Sequence, residues 1–192
     1  EEERIFMQKR CYYIPQWFFT YLKGFRFKRK WVNVHQDEEG HLEMTFEGYW
    51  HETVLLEVMI LAIISELQHR LSGELDKIDL RDYYKMSYEK ARRMLGAGLY
   101  ISEFGTRRRF SLSTEEMAVK AFIDADRDLR KELGDNYKGS FPGTSNVWLA
   151  LKYDVIPIGT MAHEFVSAIA GMYGPQEANH IAMDMWQKTF IG

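Results

Sequence analysis

Three short segments place a Gly-Thr pair ahead of polar or charged residues. They read Phe-Gly-Thr-Arg-Arg-Arg over 104–109, Pro-Gly-Thr-Ser-Asn over 142–146 and Ile-Gly-Thr-Met-Ala-His-Glu over 158–164. Each pair stands where a predicted β-strand finishes. In a parallel (β/α)₈ barrel, the carboxyl ends of the strands form the face that carries the active site. One such pair can arise by chance, but three in register are a stronger signal, so we expect the segments to meet at one pocket.

The residue types in these segments indicate a phosphate-bearing ligand and a flat ring. The three arginines at 107–109 offer planar guanidinium groups that match phosphate oxygens. A helix that opens near Ser145 adds the positive end of a helix dipole. His163 is a candidate nucleophile or general base, and Phe104 could stack on an aromatic ring.

Each candidate also has an ordinary structural explanation. An arginine triplet can be a solvated face or an ion-pair cluster, and Phe104 can belong to a core. Ser145 can be a helix N-cap that needs no ligand, and a lone His163 in a helix needs no chemistry. A serine hydrolase that uses Ser145 and His163 is disfavoured because residues 143–146 lack the second glycine of a nucleophile elbow.

The second half of the sequence alternates predicted strands and helices. Strands are expected at 99–104, at 139–142 and at 155–158. Helices follow them, the first from a capping box of Ser113 and Glu116 to Leu133, the others from near Asn146, from Met161 to Tyr173, and from Pro175 to about Phe190. This alternation is typical of a parallel α/β sheet or barrel.

The first half has a different pattern. Residues 4–27 predict one or two aromatic-rich helices interrupted at Pro15, and residues 31–47 predict a hairpin around 37–40. Residues 53–71 form a helix that is apolar on nearly every side and is expected to be buried between layers. A helix over 81–96 follows. We therefore predict two domains, a helix-and-hairpin domain at 1–97 and the first part of a barrel at 98–192.

Composition bounds the class of protein. The chain has 192 residues and a net charge of -3, which argues against a nucleic-acid binder. Its only cysteine, Cys11, fits a reducing compartment, and its longest apolar run is too short to cross a membrane, so we expect a cytoplasmic protein. His51, His69 and His180 lack the spacing of a metal site. The chain begins without methionine and stops at Gly192 after a helical pattern, so we expect a piece of a longer protein.

The three Gly-Thr segments, in this order and spacing, resemble the successive motifs of nicotinate phosphoribosyltransferases. The stretch Gly-Tyr-Trp-His-Glu-Thr-Val-Leu-Leu-Glu over 48–57, with Ile-Ser-Glu over 64–66, is similar to the long helix of that family and its lead-in. The resemblance covers about residues 10–190, as the middle portion of a family member. It implies an α+β part followed by part of an irregular (β/α)₈ barrel, the type II phosphoribosyltransferase fold.

The resemblance also implies residue roles. Phe104 would stack on nicotinate, and Arg107 would hold a phosphate of phosphoribosyl pyrophosphate. Ser145 would lie against the nicotinate carboxylate, where related nicotinamide-using enzymes carry Asp. His163 would be transiently phosphorylated by ATP, with Glu164 orienting or polarising it. The remaining predicted substrate-binding residues are Arg108, Arg109 and Thr144.

The implied reaction forms nicotinate mononucleotide and pyrophosphate with ATP as co-substrate and Mg²⁺ on the phosphates, in a homodimer. The family's opening segment, with a tyrosine that completes the partner's site, would precede residue 1, and the later barrel strands would follow residue 192. The alternative is a non-catalytic fragment or paralogue that binds a nucleotide or a partner subunit. Glu52, Glu57 and Glu66 are interpreted as anchoring the long helix rather than doing chemistry.

Overall fold

A computed structural model of the chain describes residues 2–12 and 14–190. Among the described residues of the first half there are five α-helices and a hairpin, and Pro15 separates the first two helices as predicted. These elements are α1 (Glu2–Arg10), α2 (Gln16–Gly24), β1 (Val32–Gln36), β2 (Leu42–Phe46), α3 (Trp50–Thr53), α4 (Leu56–Leu71) and α5 (Leu80–Gly96).

The second half is mostly helical, with very short strands. Its elements are α6 (Leu112–Leu133), β3 (Gly143–Thr144), α7 (Val147–Tyr153), β4 (Ile156–Pro157), α8 (His163–Tyr173) and α9 (Ala178–Phe190). Within the described residues, no helix is both long and apolar enough to cross a bilayer.

The predicted hairpin is confirmed. β1 and β2 pair antiparallel, with Val32 opposite Phe46 and Gln36 opposite Leu42. The turn closes through a hydrogen bond from the Asp37 N–H to the His41 carbonyl at 3.1 Å. Gly40 takes a φ of +88°, a conformation that glycine adopts without steric cost.

Three parallel segments form the sheet of the second half. Tyr100 bridges Ser140, Glu103 bridges Thr144, and β3 pairs parallel with β4. The predicted order and direction are therefore confirmed, although the pairing is much shorter than the predicted strands. The segment over 99–104 contributes only the two bridges and no continuous strand.

The main core joins α5 to α6. It contains small and large apolar side chains from both helices, from the second parallel segment and from α7. Its fully or nearly buried members are Ala91, Leu95, Val119, Ala125, Leu129, Phe141 and Leu149. Alanines on facing helices let the backbones approach closely. This core spans residue 97, and the division into domains at that residue stays a prediction.

The start of α6 differs from the prediction. The capping box is formed by Ser111 and Thr114 rather than by Ser113 and Glu116: the Thr114 N–H donates to Ser111 Oγ at 3.1 Å, and the Ser111 N–H donates to Thr114 Oγ1 at 3.0 Å. Glu116 instead accepts hydrogen bonds from Lys152 at 2.5 Å and from the Tyr153 hydroxyl at 2.6 Å. Ser113 lies inside α6, whose N-cap is Ser111.

The long apolar helix is less buried than predicted. α4 begins at Leu56, because a turn separates it from α3. Only Leu56 and Ala62 are buried, whereas Val58, Met59 and Ile63 are exposed. The prediction of burial on nearly every side is wrong for this chain, since the turn Thr106–Arg108 packs on only part of the helix surface.

The last two helices pack on each other through Ile169, Ala178 and Ala182. α8 begins at His163, two residues after the predicted start, and α9 begins at Ala178. Pro175 therefore lies in the turn between these helices and not in the first turn of α9.

Gly139 lies against the backbone of α5, because a Cβ at this position would stand 2.1 Å from the Leu95 carbonyl oxygen. We expect Gly139→Ala to lower the free energy of unfolding by about 3 kcal/mol, since the core must shift to admit the methyl group. Urea unfolding measures this change.

The matched control is Gly171→Ala in α8, where a Cβ would meet no atom within 4 Å. Alanine there should be neutral or should stabilise the helix by about 0.5–1 kcal/mol. Equal effects of the two substitutions would contradict the close approach at Gly139.

Candidate active site

The three Gly-Thr segments converge on one cavity of about 640 Å³, which we call the strand-end cavity. Each segment contributes side chains to it, and α4 closes one side. The lining residues are Glu57, Val58, Phe104, Thr106, Arg107, Ser145, Asn146, Val147, Thr160, Met161, Ala162 and His163. The predicted common pocket is thereby confirmed as a geometric feature.

Backbone hydrogen bonds between the parallel segments bring these ends together. The Ser145 N–H donates to the Glu103 carbonyl at 2.9 Å, and the Ile158 N–H donates to the Thr144 carbonyl at 3.0 Å. Because the segments are parallel and adjacent, their carboxyl ends meet at one edge. Both α7 and α8 begin beside the cavity.

A buried carboxylate fixes the loops behind the cavity. Glu115, in the first turn of α6, is 5% exposed. It accepts hydrogen bonds from the Thr106 hydroxyl at 2.5 Å, from Arg109 Nη1 at 2.9 Å and from Asn146 Nδ2 at 3.3 Å. These donors come from the loop after the first parallel segment and from the start of α7. One carboxylate therefore ties two strand ends to the same helix.

Asn146 also holds the start of α7. Its side chain accepts a hydrogen bond from the Leu149 N–H at 3.1 Å, which makes Asn146 the N-cap. The alternative of Ser145 as a cap is therefore wrong. Ser145 is half-buried and lines the cavity.

A second acidic residue lies behind the loop. Glu103 accepts hydrogen bonds from the Thr144 hydroxyl at 2.5 Å and from the Gly105 N–H. Burial raises the pKa of Glu103 above its usual range, while these two hydrogen bonds act in the opposite direction. Thr144 is fully buried and does not line the cavity. Its hydroxyl supports the strand end from behind.

The three adjacent arginines lie in three different environments. Arg107 lines the cavity and forms an ion pair with Glu57 of α4. Arg108 is exposed and lies outside the cavity lining. Arg109 pairs with Glu115 at 2.9 Å and lies 3.7 Å from Glu66. The structural alternative of an ion-pair cluster therefore describes Arg109, whereas Arg107 is the member of the triplet at the cavity.

The side chains of Phe104 and His163 are both exposed and both line the cavity. Phe104 is 46% exposed and lines the cavity instead of joining the core. His163 is exposed and is the first residue of α8. An imidazole at this position can reach a ligand in the cavity without displacing a packed side chain.

Glu164 is not among the residues that line the strand-end cavity. It lines a separate apolar groove of about 820 Å³ between the hairpin and α4, which His163 also borders. Its Oε1 accepts a hydrogen bond from Trp50 Nε1 at 2.6 Å, and the Trp50 ring stacks on Phe165 with 14° between the ring planes. The first half of the chain therefore fixes the carboxylate next to the histidine.

Sequence reasoning missed Glu115, Asn146 and Trp50 as residues that hold the site. Asn146 belongs to the segment 142–146, and asparagine is a residue type that helix N-caps favour, which was a usable signal. The interpretation of Glu57 as an anchor of α4 agrees with its ion pair to Arg107. Among residues 2–12 and 14–190 there is no group of three His, Cys, Asp or Glu side chains that could hold a metal ion.

Two models of one protein family match the chain. The model of the nicotinate phosphoribosyltransferase N-terminal domain matches residues 1–65, and the model of the nicotinate phosphoribosyltransferase family matches residues 99–192. Together they include all three Gly-Thr segments.

The chain is also similar to individual nicotinate phosphoribosyltransferases. The nicotinate phosphoribosyltransferase of Chromohalobacter salexigens is 35% identical over 195 residues, with 100% of this chain and 46% of the relative covered. That of Methanococcoides burtonii is 30% identical over 204 residues, with 100% and 47% covered. This chain thus spans about half the length of the curated relatives it matches.

Structural similarity confirms the predicted α/β fold class. The crystal structure of nicotinate phosphoribosyltransferase from Porphyromonas gingivalis matches with a TM-score of 0.85 at 31% identity, covering 99% of this chain and 46% of that chain. The family models, the relatives and the fold lead to one conclusion: the chain belongs to the nicotinate phosphoribosyltransferase family.

Proposed function

We propose that the protein is a nicotinate phosphoribosyltransferase. It would join nicotinate to the phosphoribosyl group of phosphoribosyl pyrophosphate, release pyrophosphate and couple this transfer to ATP hydrolysis. The observation that carries the proposal is the convergence of Phe104, Arg107, Ser145 and His163 on one cavity in a chain of this family. These four side chains offer a ring surface, a cation, a neutral hydrogen-bond donor and a nucleophile.

In this proposal nicotinate binds between Phe104 and Ser145. The exposed face of Phe104 supplies a stacking surface for the pyridine ring. The Ser145 hydroxyl is free of the helix-capping role, so it can donate a hydrogen bond to the nicotinate carboxylate. A neutral hydroxyl suits this substrate because a carboxylate side chain would repel it.

The phosphates of phosphoribosyl pyrophosphate bind Arg107 in this scheme. The guanidinium lines the cavity, and α8 begins at the cavity with His163, so the positive end of its dipole favours an anion there. Arg109 and Thr144 act through Glu115 and Glu103, respectively, by holding the loops in place. We assign Arg108, which is exposed, a part in attracting the anionic substrate.

His163 is the proposed phosphate acceptor from ATP. A ring nitrogen of the neutral imidazole attacks the γ-phosphorus, the bond to the β-phosphate oxygen breaks, and ADP leaves. Water later cleaves the phosphohistidine to inorganic phosphate. Glu164, held by Trp50, fixes the first turn of α8 and thereby orients the imidazole.

Mg²⁺ would arrive on the phosphates of both substrates. This cation commonly keeps water and substrate phosphate oxygens as ligands and takes only one or two protein carboxylates. We further propose a homodimer in the cytoplasm, a compartment that suits a chain with one cysteine.

Ser145→Asp in the full-length protein tests the nicotinate site. We expect kcat/KM for nicotinate to fall about 100-fold or more, since a partly buried carboxylate facing the substrate carboxylate costs several kcal/mol and each factor of ten corresponds to about 1.4 kcal/mol. Steady-state kinetics measure the change, and thermal unfolding checks that the fold survives.

The matched control is Ser145→Asn, which has nearly the same size as Asp and carries no charge. It should lose much less activity with nicotinate than the Asp variant. Equal losses in the two variants would show that size, and not charge, limits position 145.

His163→Ala tests the coupling to ATP. The full-length protein incubated with γ-labelled ATP should acquire an acid-labile, base-stable label, and His163→Ala should abolish that label and the ATP-driven gain in turnover. Some ATP-independent transfer should persist, because the ring and phosphate contacts lie on other residues.

His180→Ala removes an exposed histidine of α9 outside the cavity lining and should keep the label. An active protein that never takes up label would disprove the role of His163. A non-catalytic protein, the alternative predicted from sequence, would bind ligand but release no pyrophosphate.

A further inference from the structure

The ion pair between Glu57 and Arg107 joins the two halves of the chain at the strand-end cavity. Glu57 lies in the first turn of α4, and Arg107 lies in the 3-10 turn Thr106–Arg108. Both side chains line the cavity, and each is about one-third exposed, at 36% and 34%. The pair is therefore accessible to a ligand that enters the cavity.

The backbone on both sides of Arg107 is held independently of this pair. Thr106 and Arg109 donate to the buried Glu115, at 2.5 and 2.9 Å. The Ser65 hydroxyl donates to the Arg109 carbonyl at 2.8 Å. Loss of Glu57 would therefore leave the loop in place and release only the long Arg107 side chain.

Glu57 occupies a small part of the hydrogen-bonding capacity of Arg107. The contact joins Arg107 Nη1 to Glu57 Oε1, whereas a guanidinium carries five N–H donors. The remaining donors can bind a phosphate in the fork geometry that favours Arg over Lys. The carboxylate thus orients the guanidinium, and at the same time its negative charge weakens the attraction of Arg107 for an anion.

We propose that Glu57 is a positioning residue that sets the direction of Arg107 for the phosphate of the phosphoribosyl donor. This inference rests on the proposed function. The two effects of Glu57 can be separated by substitution, because Gln keeps a hydrogen-bond acceptor without the charge and Ala removes both. An ion pair of this exposure contributes little to stability, so a change in substrate affinity would report on positioning.

A double-mutant cycle in the full-length protein tests the proposal. Glu57→Ala should raise KM for phosphoribosyl pyrophosphate about tenfold with kcat changed by less than about threefold, because the freed Arg107 side chain must be ordered at each binding event. Glu57→Gln should keep KM at or below the wild-type value. In an Arg107→Ala background, Glu57→Ala should have little further effect, since interacting residues are not additive.

The matched control is Glu132→Ala, which removes the Arg92–Glu132 ion pair, with 34% and 52% exposure, outside the cavity lining. It should leave KM unchanged. Additive losses in the cycle, or an unchanged KM in Glu57→Ala, would overturn the positioning role.

A second readout separates this proposal from the proposed function. Calorimetric titration with inorganic pyrophosphate should show the same pattern of affinities across the four proteins of the cycle. A wild-type protein without phosphoribosyl transfer would contradict the proposed function, and the titration would still decide the Glu57–Arg107 coupling. Thermal unfolding checks that the Glu57→Gln variant is folded. If this folded variant bound pyrophosphate at least tenfold more weakly than the wild type, the positioning role of Glu57 would be refuted.

Discussion

The geometry of the site depends on the buried carboxylate of Glu115. Its three donors are Thr106, Arg109 and Asn146, from two different strand ends. A carboxylate removed from water is costly unless hydrogen bonds and a cation replace its hydration. Loss of any of these hydrogen bonds would therefore be costly, so each donor is held in place. These hydrogen bonds fix the backbone of the cavity wall, from which the side chains that face a ligand project.

The third strand end is fixed by other means. Backbone pairing to Thr144 places Ile158, and the packing of Ile169 in α8 against α9 sets the helix that follows. Trp50 then connects the same helix to the first half of the chain through Glu164. The candidate site is thus assembled across the predicted boundary at residue 97.

The separation of the three arginines has a simple geometric cause. Residues 106–108 form a 3-10 turn, in which successive side chains point about 120° apart because the helix has three residues per turn. Arg107 and Arg108 therefore cannot share one face, and Arg109 follows the turn in an extended conformation. Arg107 meets the cavity and Glu57, whereas Arg109 meets the buried Glu115. A run of identical residues in a sequence is therefore not evidence of a shared role.

Sequence alone determined the hairpin, most helices, the order and direction of the parallel segments, and the family, because periodicity, caps and motifs act over a few residues. Sequence alone failed to predict contacts between residues that are far apart in the chain. Glu57 and Arg107 are 50 residues apart, and Glu115 and Asn146 are 31 apart. The shifted cap of α6, the exposed face of α4 and the support role of Thr144 were likewise decided only by the tertiary structure. Local patterns do not record which buried charge meets which donor, since that pairing exists only once the chain is folded.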